Sequence, residues 1–218
     1  MNTFLPKLSS ILGLASRAYF FVGRFSTKAQ MNLINGNSTE FFRSYFNLIE
    51  LSISKVDMAL LHQVAGLFLH SKRNGGKVIF TGNGGSAAMA SHLSVDLTKA
   101  ANIRAINFNE ADLLTCFSND YGYEHWVARA LEAYADKNDV VVLISSSGKS
   151  LNIINGVVQA RKMGLTVITL SGFKCDNPLR ELGDVNFWCD SEAYNVVEMT
   201  HHVWLLSVVD YIIQHKEA

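Results

Sequence analysis

The run Asp139-Val140-Val141-Val142-Leu143-Ile144 constrains the fold most, because it is continuously apolar, rich in β-branched residues and bounded by polar ones. Such a run reads as a buried strand. It passes without a spacer into Ser145-Ser146-Ser147-Gly148-Lys149-Ser150, and residues 151–163 then show helical periodicity ending at Gly164, a good C-terminal stop. The same order occurs earlier. Lys77-Val78-Ile79-Phe80-Thr81 reads as a short strand, Gly82-Asn83-Gly84-Gly85-Ser86 as a turn, and a helix follows to about Ala101.

Further strands are expected at 103–107, 165–170 and 185–189, with helical pieces at 111–116 and 124–134 and a last helix over about 195–214. Two helices precede the first strand, with apolar faces at Phe41 to Leu51 and at Leu60 to Phe68. Strands alternating with helices imply right-handed crossovers and a mainly parallel sheet covered on both faces. The expected class is therefore α/β, a three-layer sandwich with a mainly parallel sheet, preceded by N-terminal helices.

The chain's 218 residues, 49% of them hydrophobic, suffice for one sizeable core. Lys plus Arg and Asp plus Glu are balanced at 19 each, so no global positive field exists to hold a nucleic acid or an anionic membrane. Three widely spaced cysteines, Cys116, Cys175 and Cys189, suit a reducing cytoplasm and read as small hydrophobes. The first 39 residues contain no Asp or Glu, and carry Lys7, Arg17, Arg24 and Lys28. A transit peptide and an amphipathic arm packed on the domain or on another subunit both fit; a signal peptide fits poorly, since Arg17 and Arg24 interrupt the apolar run. No stretch approaches the roughly 18 apolar residues of a membrane span.

Both turns lie where a strand ends and a helix begins. The first helical N–H groups there lack intrahelical acceptors, and the helix dipole favours negative charge. Glycine lets backbone approach an anion, and serine adds donors without bulk. Gly82-x-Gly84-x-x-Ala87 satisfies a loose dinucleotide fingerprint, but the next strand ends in Asn107 where a ribose-binding acid is needed, with Glu110 nearest. Gly148-Lys149-Ser150 resembles the end of a Walker A loop whose first glycine is replaced by Leu143. No nucleotide cofactor is expected. The remaining candidate is one phosphate ester held by both turns.

Taken with Ser118-Asn119-Asp120-Tyr121-Gly122 and Gly164-Leu165-Thr166-Val167-Ile168-Thr169-Leu170, these segments resemble the SIS (sugar isomerase) family, and within it the bacterial phosphoheptose isomerases. The resemblance runs from about Ser38 to the C-terminus, and implies a flavodoxin-like sheet with 38–218 as a single domain and 1–37 as an extension outside it. It implies an aldose-ketose isomerase in which Gly84, Gly85, Ser86, Ser145, Ser146, Ser147 and Ser150 bind phosphate, Asn83 and Asp120 line the sugar site, and the partners are copies of the chain in a homotetramer.

Isomerising a ketose to an aldose moves a proton between adjacent carbons through an enediol, so a base is needed near C1 and C2 and a donor or metal near the oxygens. By the resemblance, the helix after the glycine turn supplies His92 and, one turn later, Asp96 where relatives carry Glu. The last helix departs further. Relatives have Gln or Glu and, two turns on, a His; this chain has Glu198, His201 and His202, with Leu205 or Leu206 at the later position. Asp96, Glu198 and His202 are the catalytic candidates. His92, Asp96 and Glu198 are the donor set for a zinc ion, if one is bound. The alternatives are isomerisation of another phosphosugar, and a non-catalytic phosphosugar-binding or protein-interaction module like the relatives that bind a replication initiator.

Overall fold

The computed structural model describes residues 38–215, and the expectations for residues 1–37 lie outside them. In chain order the elements are α1 (Ser38–Ser54), α2 (Met58–Arg73), β1 (Val78–Thr81), α3 (Gly85–Lys99), β2 (Ala105–Asn107), α4 (Ala111–Tyr121), α5 (Trp126–Tyr134), β3 (Val140–Ser145), α6 (Leu151–Lys162), β4 (Thr166–Ser171), β5 (Val185–Trp188) and α7 (Tyr194–Gln214). The five strands form one sheet in the order β2-β1-β3-β4-β5, and every pairing is parallel. This is the doubly wound, flavodoxin-like order, whose direction of winding reverses between β1 and β3.

Alternation along β3 divides the interior into two layers. Val140, Val142 and Ile144 face a core built with Phe68 of α2, Leu93 and Leu97 of α3, and Leu205 and Val208 of α7. Val141 and Leu143 face the other side, against Trp126 and Leu131 of α5 and Ile153 and Val157 of α6. Burying each large side chain contributes roughly 1.5–3 kcal/mol, and because strands of this kind are covered on both faces they read as unbroken apolar runs.

At the edge of the sheet away from the turns, Asp139 ties the starts of β1 and β3. Its carboxylate accepts from the Lys77 backbone N–H at 2.8 Å and pairs with Lys77 Nζ at 2.7 Å, while Asp136 pairs with the same ammonium at 2.7 Å. The two strands are thereby held in register before they reach their turns.

The apolar face of α2 packs within the chain, where Val64, Ala65 and Phe68 join the core. Helix α7 is long and apolar enough on average to cross a membrane, but Glu198, His201, His202 and Asp210 interrupt its apolar residues, in line with the sequence reading. Half of its apolar stretch is buried in the fold, because Val197, Trp204, Leu205, Val208 and Ile212 join the core.

Candidate active site

Adjacent pairing of β1 and β3 sets the two turns side by side at the C-terminal edge of the sheet. Thr81 pairs with Leu143, so β3 continues two residues further before its turn begins. The turns enclose a cavity of about 260 Å³ lined by Asn83, Gly84, Gly85, Ser86, Ser145, Ser146, Ser147 and Ser150, closed by Tyr194 and Glu198 from α7. All eight turn residues expected to hold a phosphate or its sugar therefore share one space.

The backbone explains why this space suits an anion. Gly84 and Gly148 hold positive φ values of 56° and 65°, which bend both turns sharply. Neither Gly84 nor Ser150, the N-cap residues of α3 and α6, makes a side-chain capping bond, so first-turn N–H donors of both helices lack that acceptor. Ser145 Oγ donates to Ser150 Oγ at 3.0 Å and the Gly148 N–H donates to the Ser145 carbonyl at 2.9 Å, which fixes the serine turn from within. Ser146 Oγ is buried without a hydrogen bond of good geometry, although it lies near enough to the Glu198 carboxyl to stabilise its ionised form. Burial outweighs that effect and pushes the Glu198 carboxyl above its usual range. A methyl group added at Gly85 would meet the Glu198 carboxylate directly, so this glycine makes room for it.

Behind the glycine turn Asn83, expected at the sugar site, meets two residues that the sequence reading did not single out, Asn152 and Tyr123. Asn83 Nδ2 donates to Asn152 Oδ1 at 3.1 Å, Asn152 Nδ2 donates to Asn83 Oδ1 at 2.9 Å, and Tyr123 Oη donates to Asn83 Oδ1 at 2.9 Å. Tyr194 was missed too. It opens α7 and packs edge-on against Phe173, with ring centroids 4.8 Å apart. A tyrosine at a helix start carries no signal of its own, because only the crossing of α7 over the turns makes it a wall.

The titratable cluster lies along α3 and α7. His92 is about 10 Å along the helix axis from Gly85, and His202 about 6 Å from Glu198, at 1.5 Å per residue. His92 Nδ1 and His202 Nε2 are 3.0 Å apart with their rings nearly perpendicular, and His92 Nε2 meets Asp96 Oδ2 at 3.2 Å. Burial, and secondarily the His92 charge, lower the His202 pKa; Asp96 opposes them. Gly85 meets Glu198 and His92 meets His202, so the two helices run side by side in the same direction. The cluster does not line the cavity, and the His92 side chain is half exposed.

Adjacent to His202, His201 is fully buried. Its Nε2 donates to the Ser171 carbonyl at 2.9 Å, and burial lowers its pKa to about 4. Asp120 is exposed near the end of α4, accepting from Asn119 Nδ2 at 2.9 Å and facing Cys116, and it is not among the residues lining the cavity. As for zinc, both His92 ring nitrogens are engaged, and among the described residues no group of three or more His, Cys, Asp and Glu side chains is gathered to hold a metal. As arranged, His92, Asp96 and Glu198 do not make a three-donor site.

These features define a class: a doubly wound α/β protein that presents an anion cradle at the topological switch point of its sheet. The SIS domain family matches residues 40–172. The phosphoheptose isomerase of Histophilus somni (strain 2336) is 36% identical over 185 residues, covering 83% of this chain and 94% of the relative. Among solved structures, a phosphoheptose isomerase from Francisella tularensis superposes with a TM-score of 0.75 at 25% identity over 82% of this chain and all of that one. That of Neisseria gonorrhoeae gives 0.71 at 28% identity, covering 78% and 94%. The chain belongs to the SIS domain family.

Proposed function

We propose that this protein is a phosphoheptose isomerase that interconverts sedoheptulose 7-phosphate and D-glycero-D-manno-heptose 7-phosphate through an enediol. The observation that carries the reading is the convergence of the glycine and serine turns on one cavity, with Glu198 of α7 in its wall. The axial separation of the turns from the His92–His202 pair matches the reach of an extended sugar whose phosphate sits in the cradle and whose C1 and C2 lie at the far end.

The hydrogen-bond chain supports His202 as the base: His92 donates from Nε2 to Asp96, its Nδ1 accepts from His202 Nε2–H, and the lone pair of His202 Nδ1 is left to take a proton. That nitrogen removes a proton from C1 of the ketose and returns it to C2, while the hydroxyl proton passes from O1 to O2. Glu198, whose carboxyl burial pushes above its usual range, would exchange that second proton.

Two further expectations belong to the same reading. Phe42 and Phe46 of α1 are 55% and 64% exposed within one chain, which supports a homotetramer whose neighbouring subunits cover that face. Three free cysteines support a reducing, cytoplasmic setting.

A second reading, phosphosugar binding without turnover, is favoured by one observation: Leu205 is in the core and Leu206 packs against it, so neither position offers an imidazole to the site. Incubating the purified chain with sedoheptulose 7-phosphate and following aldoheptose phosphate separates the two. Turnover is expected. Thermal stabilisation by the sugar phosphate with no product formed would leave only the second reading.

A further inference from the structure

The cradle needs two independent turns to keep one geometry, and nothing within either turn measures its distance to the other. The amide pair behind them does. Asn152, the second residue of α6, is buried at 2% exposure and exchanges two hydrogen bonds with Asn83 of the glycine turn. Asn83 Oδ1 also accepts from Tyr123 Oη, so both of its lone pairs are occupied and one N–H remains for a ligand. Tyr123 is itself held. It packs near Trp126, with centroids 6.5 Å apart, and its neighbour Glu124 accepts through its carbonyl from Asn155 Nδ2 at 2.8 Å. Asn152 and Asn155 lie three positions apart on α6 and therefore share a face. One helix thus fixes both the glycine turn and the connection between α4 and α5.

We infer that Asn152 and Tyr123 are positioning residues: acting through Asn83, they set the spacing of the two turns and so the affinity of the cradle for phosphate. Neither residue lines the cavity, so neither owes its effect to touching the ligand. The inference rests on the reading of this cavity as a phosphate site, but not on turnover.

Calorimetric titration with inorganic phosphate, beside steady-state kinetics on sedoheptulose 7-phosphate, tests it. Tyr123→Phe removes one hydroxyl from a half-exposed side chain and leaves the packing on Trp126. Its phosphate Kd and its KM should both rise about threefold to tenfold, the scale of one hydrogen bond, with kcat and Tm unchanged. Asn152→Asp keeps an acceptor for Asn83 Nδ2 and loses the donor to Oδ1, so it should weaken phosphate binding further, whereas Asn155→Ala, which frees only the loop carbonyl, should do less than either. Wild-type affinity in Tyr123→Phe, or a wild-type chain that fails to bind phosphate, overturns the inference. A wild type that binds phosphate with the expected order of variants but turns over no sugar upholds it and removes only the proposed reaction.

Discussion

The two ends of the site are built differently. The cradle is made by backbone at the ends of two adjacent parallel strands, and its donors are where they are because β1 and β3 are paired. The His92, Asp96 and His202 cluster is made by side chains on two helices, and its one cross-helix contact joins residues 110 positions apart. Backbone donors at strand ends are brought together by the sheet, and the Asn83, Asn152 and Tyr123 side chains need only fix their spacing. Side-chain chemistry depends on the rotational phase of each helix, so it can drift among relatives while the cradle stays. The two departures from the family pattern that the resemblance implies, Asp96 in place of Glu and Leu205 or Leu206 in place of a later His, both fall on the side-chain end.

If the division is real, substitutions at the two ends should separate binding from turnover. The largest effect is expected for His202→Phe, which removes the proposed base while keeping ring bulk: kcat should fall about 10²- to 10⁴-fold, with phosphate affinity intact by calorimetry. A small loss in kcat would break the comparison and return the base to another residue.

Gly148→Ala strikes the other end. Alanine there must hold a positive φ, and its methyl group would run into the buried Asn177 side chain behind the turn. The cost should be roughly 2–4 kcal/mol in urea unfolding, with phosphate affinity down at least about tenfold because the turn must shift. Unchanged affinity in a folded variant would show that the serine turn is not part of the binding site.

The third prediction sharpens the contrast between neighbouring imidazoles. His201 has a folded pKa of about 4, below the ordinary value of 6.5. The unfolded chain then binds a proton that the native one refuses, so the stability this group supplies is complete above pH 6.5 and is lost as pH falls towards 4. About 2 kcal/mol should have gone by pH 5. Urea titrations at pH 7 and pH 5 should show this step in the wild type and lack it in His201→Phe; a step that persists in the variant would assign the pH dependence elsewhere.

Much of this was legible before any coordinates. The buried strand at 140–145 and the helix starting at Leu151 follow from a continuous apolar run ending in serines, and the uncapped donors follow from glycine at the end of β1. Asn83 was legible as a site residue but not in its manner of action, since its amide is largely consumed by Asn152 and Tyr123. Asp120 was read into the sugar site and stands exposed on α4, because the phase of an exposed helix end is set by contacts that periodicity does not contain.

What the sequence determined alone is the local alternation of strand, tight turn and helix, and with it a parallel sheet bearing two anion-binding corners. Those follow from backbone sterics and hydrophobic periodicity, which act over a few residues. Tertiary structure alone decided which side chains of α7 meet them. Residues along a helix are rotated by about 100° from one to the next, so once Val197, Leu205 and Val208 had settled on the sheet, His201 was turned into the core and His202 towards His92.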